Sequence, residues 1–138
     1  MIPSITLETA KEVIDAAEEA AKAIDNPMVI TVVNSEGNLV AQRRMDDAWL
    51  ASVNISRNKA YTSAALDMPT HELEEATKPG ESLWGLQTTD DNQLVVFGGG
   101  YPLIRDGKVI GAIGVSGGAV EQDRTVAEAS VEAFEESH

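Results

Sequence analysis

Two glycine-dense runs in the last third of the chain are the first residues that could do chemistry. Phe97-Gly98-Gly99-Gly100-Tyr101-Pro102 and Gly114-Val115-Ser116-Gly117-Gly118 leave backbone N–H groups uncovered, and the second run lies just before a helical pattern. N–H groups at such a place can hold an anion. Repeated glycine also marks turns, unusual dihedrals or the close approach of another element. The runs therefore imply a backbone-walled pocket or a tight packing seam. Arg57 and Lys59 are the cations that could serve a carboxylate or phosphate there. Two positions apart, they cannot share one helix face, so at most one points into any pocket. Phosphate is disfavoured: Glu121 and Asp123 already complement the positive end of the final helix, and the spacing fits no dinucleotide or P-loop fingerprint.

Ser116 superficially sits in a nucleophile-elbow pattern, Gly-x-Ser-x-Gly, but the only histidines are His71 and the terminal His138. A triad would need His71 as its base. His71 itself reads either as an exposed histidine at the start of an acidic helix or as an axial ligand to a metal or haem. Arg43 and Arg44 have Asp46 and Asp47 close by in sequence, so ion pairing competes with anion recognition at those cations. Trp49 and Trp84 are core or interface anchors, or stacking surfaces for a planar ligand. No residue is assigned a catalytic role, and whether the chain is an enzyme is left open.

The elements that must position these groups follow from periodicity. Thr6 can cap a helix with apolar positions Leu7, Ala10, Val13, Ile14, Ala17, Ala21 and Ile24, ended by Asn26-Pro27. Strands are expected over Met28 to Val33 and Leu39 to Arg44, joined by an Asn34–Asn38 hairpin loop. A helix is expected from about Trp49 to Leu66, then a short one from His71 to Thr77 capped by Thr70. Residues 81–92 read as a loop anchored by Leu83, Trp84 and Leu86. Strand patterns recur at Leu94 to Phe97, Leu103 to Arg105 and Val109 to Val115, with Asp106-Gly107 a strong hairpin turn. A last helix runs from about Val120 to Glu136. The order α-ββ-α-α-βββ-α implies an α+β fold with an antiparallel sheet of about five strands flanked by helices.

At 138 residues, a single domain over 1–138 is expected. With no cysteine, disulfides, thiolate metal sites and a cysteine nucleophile are excluded. There is no membrane-length apolar run and no signal-peptide pattern, which points to the cytoplasm. A net charge of −13 repels nucleic acid and anionic membranes. The acids are spread over every helix rather than clustered, which suits a high-salt cytoplasm better than one cationic partner.

Several blocks together resemble a known family. They are Leu7-Glu-Thr-Ala10, Val32-Val33-Asn34-Ser35-Glu36-Gly37-Asn38-Leu39-Val40, Arg44-Met45-Asp46, Lys59-Ala60-Tyr61-Thr62-Ser63-Ala64, Pro69-Thr70, Gly98 to Leu103, Gly107 to Gly118 and Glu121-Gln122-Asp123. The chain is similar, from about residue 6 to 135, to the GlcG/HbpS haem-binding-like family, found also as the C-terminal domain of PduO-type corrinoid adenosyltransferases. That resemblance implies a profilin-like layered fold, homo-oligomers and small-ligand binding, with haem or haem-related redox handling as the leading case. Under it His71 is the candidate axial ligand, with Met45, Met68 or Thr70 as substitutes. The alternatives are an enzyme or carrier for a small organic acid, a corrinoid ligand, or a non-catalytic assembly module. The expected ligand-binding set is Arg57, Lys59, Gly98, Gly99, Gly100, Pro102, Gly114, Ser116, Gly117 and Gly118.

Overall fold

The computed structural model describes residues 3–137. Helix α1 (Leu7–Ala23) starts where the Thr6 hydroxyl accepts the Thr9 N–H at 3.1 Å. It buries Ala10, Val13, Ile14, Ala17 and Ala21, while Leu7 and Ile24, at the ends of the expected stripe, stay exposed. Strands β1 (Val29–Asn34) and β2 (Leu39–Arg44) form a hairpin in which the Asn34 side chain accepts the N–H groups of Glu36 and Asn38. Helix α2 (Ala51–Leu66) follows. Strands β3 (Gly100–Arg105) and β4 (Lys108–Ser116) turn at Asp106-Gly107, both with positive φ, and helix α3 (Val120–Ser137) closes the order.

The fold is α+β, with three helices and a four-stranded antiparallel sheet in the order β2-β1-β4-β3. The expectation of about five strands is corrected: Leu94 to Phe97 is not a strand. Its Val95 N–H is taken at 2.9 Å by the Thr62 hydroxyl of α2, so it lies along a helix rather than a sheet neighbour. The expected helix from His71 to Thr77 shrinks to a single 3-10 turn, Thr70–Leu73. The hydroxyl expected to cap it, on Thr70, accepts the Gly100 N–H at 2.9 Å instead.

Strand alternation sorts the interior into two unlike layers. Ile30, Val32, Ile113 and Val115 face α1 and α3, and with Val13, Ile14, Leu103, Val126 and Phe134 make the main apolar core. The intervening residues Thr31, Val33, Ala112, Gly114 and Ser116 face α2, which presents Ser52, Ser56, Lys59, Ala60, Ser63 and Ala64. That second seam is close and polar. Thr31 Oγ1 and Ser56 Oγ are 2.8 Å apart, and Gln42 donates to both Thr31 Oγ1 and the Val53 carbonyl. A Cβ on Gly114 would overlap the Ser56 carbonyl oxygen and come within 2.6 Å of the Ala60 nitrogen. Glycine there lets the α2 backbone sit directly on β4.

Candidate functional site

The two glycine runs meet at the end of β4, and what fills the space between them is Lys59. Its side chain is completely buried. The ammonium donates to Asp123 Oδ2 at 2.9 Å and to the Val115 carbonyl at 2.9 Å. On another side it faces the Phe97 ring, 5.1 Å from the centroid. Asp123, on the first turn of α3, is also held by the Gly118 N–H at 2.9 Å. Burial holds the Lys59 amine below its ordinary value and the Asp123 carboxyl above its own; each shift is opposed by the partner's charge. The pair ties α2, β4 and α3 together, and Gly99 makes room for it: a Cβ there would stand 2.6 Å from Lys59 Nζ.

The other expected site residues fall as follows. Arg57 is exposed on α2 and makes no ion pair among the described residues, so of the two cations Lys59 alone points inward. Gly98 donates its N–H to Glu74 and packs against Arg124. Gly100 pairs with Gly114 across the β3–β4 ladder, and Pro102 with Ala112. Gly117 lies against the Pro27 carbonyl and Gly118 against Gln122. Ser116 is buried and donates to Ser52 Oγ at 3.1 Å, on a face with no histidine partner. In the single chain these glycines are spent on packing around the Lys59–Asp123 pair.

His71 stands apart, on the 3-10 turn. Its ring lies 5.6 Å from Tyr101, inclined by 51°, and neither ring nitrogen is hydrogen-bonded within the described residues, although Nδ1 is buried. Tyr101 donates to Glu128 and receives Arg124 Nε at 3.4 Å. Burial, with the Glu128 contact, pushes the Tyr101 phenol up to about 12. No group of three or more histidines and carboxylates that could hold a metal ion occurs among the described residues. Among the described residues, no helix is long and apolar enough to cross a membrane.

Sequence reasoning treated Asp123 only as a complement to the helix dipole and passed over Phe97 and Tyr101. A signal for the pair was present: Lys59 is the one long side chain in a Ser52-Ser56-Lys59-Ala60-Ser63 stripe at helical spacing. Two surface clefts, of about 500 Å³ beside Arg43 and Met45 and about 610 Å³ beside Asp67 and Ile104, border neither Lys59 nor His71. Arg43 at the first is committed to Asp15 and Glu18, and Arg44 to the Ala48 carbonyl.

The chain is similar in sequence and fold to known proteins. An uncharacterised 15.0 kDa protein encoded in the dhaT-dhaS intergenic region of Citrobacter freundii is 51% identical over 135 residues, covering 98% of this chain and 95% of that one. The crystal structure of Klebsiella pneumoniae protein ORFY superposes with a TM-score of 0.95 at 42% identity, over 98% of this chain and 93% of that one. A PduOC–haem complex superposes with a TM-score of 0.90 at 38% identity, over 94% of each chain. Residues 5–132 match the family described as haem degrading protein HbpS-like. The chain therefore belongs to the HbpS-like family, the group that its sequence blocks resemble.

Proposed function

We propose that this chain binds haem within a homo-oligomer, with His71 as the iron ligand. The observation that carries the reading is the state of the His71 imidazole: half-buried, packed against Tyr101, and without a hydrogen bond at either nitrogen. An unpaired polar atom in an enclosed place costs about 1–3 kcal/mol, which a bound group can offset. Similarity to a PduOC–haem complex supports the same ligand class. The donor set fits: imidazole is a common protein ligand of haem iron, and Arg124, half-exposed next to Tyr101, offers a cation for a propionate.

When bound, the iron would supply redox chemistry. The chain's own residues would set its environment. His71 would hold the metal, and Tyr101, packed beside it, would orient the imidazole ring. Association of copies would supply a further wall. Trp84, Trp49 and Leu50 are 66%, 64% and 73% exposed. Apolar surface of this kind, left open in one copy, is covered when copies associate.

Haemin titration followed at the Soret band, at low and at molar salt, tests the proposal. Saturable binding that is lost in His71→Ala supports it. Non-saturating binding that the substitution leaves unchanged overturns it.

A further inference from the structure

The Lys59 ammonium has three hydrogens and only two acceptors. Asp123 Oδ2 and the Val115 carbonyl take two of them, and the third side faces the Phe97 ring. An aromatic face attracts a cation but does not replace a hydrogen-bond acceptor. Phe97 is 39% exposed, so its ring borders solvent on one side and the buried amine on the other. Backbone bonds pin the segment just beyond it: Gly98 donates to Glu74, and the Gly99 carbonyl accepts the Val115 N–H at 2.9 Å. Rotation of the Phe97 side chain would take the ring off the third side of the amine, with the loop beyond it still pinned by these bonds.

We propose that Lys59, Asp123 and Phe97 form a gated site for a small neutral aldehyde or ketone, which Lys59 captures as an imine. The charge state selects this class. The cation is already balanced by Asp123, so an organic anion entering would face that carboxylate, whereas a carbonyl oxygen needs only the spare N–H. Buried lysines are the ones used for such chemistry, because desolvation favours the neutral, nucleophilic amine.

The step balances within the pair. Lys59 passes one proton to Asp123, and its lone pair attacks the carbonyl carbon to form the C–N bond. The carbonyl oxygen takes that proton back from Asp123, giving a carbinolamine. The carbinolamine nitrogen, still cationic, then gives one proton to the hydroxyl by way of the Asp123 carboxylate, and water leaves with the C–O bonding pair. A protonated imine remains, with the Asp123 carboxylate as its counter-ion. One aldehyde and one ammonium become one iminium and one water, with no change in total charge and no oxidant or reductant.

The inference uses residues distinct from His71 and stands or falls separately from haem binding. Its test is reductive trapping: the native protein is incubated with acetaldehyde and cyanoborohydride, and ethylation is mapped by peptide mass spectrometry across the five lysines. Lys59 is expected to be labelled faster than Lys11, Lys22, Lys78 or Lys108, because burial favours its free amine. Phe97→Ala, which leaves the Lys59–Asp123 pair intact, is expected to label Lys59 faster still. Labelling of the other four lysines with Lys59 untouched, in both the unaltered protein and a folded Phe97→Ala, would overturn the proposal.

Discussion

Lys59 and Asp123 show at the scale of single residues how a charge is made tolerable inside this molecule. Each ion is taken out of water, and each recovers part of the loss from the other and from backbone groups. Removing one partner strands the other. Lys59→Met is expected to lower unfolding free energy in urea by about 3–5 kcal/mol, and Lys59→Met with Asp123→Leu by less than the sum of the two single changes. A purely additive result would mean that the two side chains do not interact. Tyr101 gives a second prediction. Its phenol ionises more readily in the unfolded chain than in the fold, where burial and Glu128 raise it to about 12. The folded state thus holds more protons between about pH 10 and 12, and its stability is intact below pH 10 and falls as pH rises through that window. Denaturation midpoints measured across the window check this, with Tyr101→Phe expected to flatten the slope. Neither arrangement was legible in the sequence as such. The carboxylate that meets Lys59 lies 64 positions away, and nothing local marks it.

Elements were more legible than side-chain partnerships, because the signals for them are local. The Thr6 cap and the Asp106-Gly107 turn each work within a few residues and are found where expected, and the α1 stripe is buried except at its ends, Leu7 and Ile24. Leu94 to Phe97 failed because a short apolar run does not say whether its backbone will pair with a strand or with a helix hydroxyl. The Thr70 turn failed because its cap was taken by a residue from a distant strand. The glycine runs left two readings open, pocket wall or packing seam, and only tertiary contacts show α2 pressed on Gly114. Two glycines of the same hairpin should therefore behave differently. Gly107→Ala meets open space and bears only the left-handed backbone penalty, about 1–2 kcal/mol. Gly114→Ala must push α2 off β4, and the loss should exceed that of Gly107→Ala, at about 3 kcal/mol or more. Equal losses in thermal or urea unfolding would contradict the seam.

At the scale of the whole molecule, a charge of −13 and a set of exposed tryptophans and leucines make opposite demands. Like charges oppose both compaction and association, and salt relieves both. Melting temperature and molecular mass in solution are expected to rise together as salt increases, with Trp84→Ser lowering the mass but not the charge effect. A mass that stays at 14.7 kDa at every salt concentration would contradict the proposed oligomer. Haem carries negative propionates, so its affinity should strengthen with salt for the same reason. The central claim is nonetheless about one imidazole. With His138→Ala, His71 becomes the only histidine in the chain. Pulsed electron paramagnetic resonance of the ferric haem complex of that variant should show coupling of the iron to a histidine nitrogen, abolished when His71→Ala is added. A haem complex without histidine-nitrogen coupling would contradict the assignment.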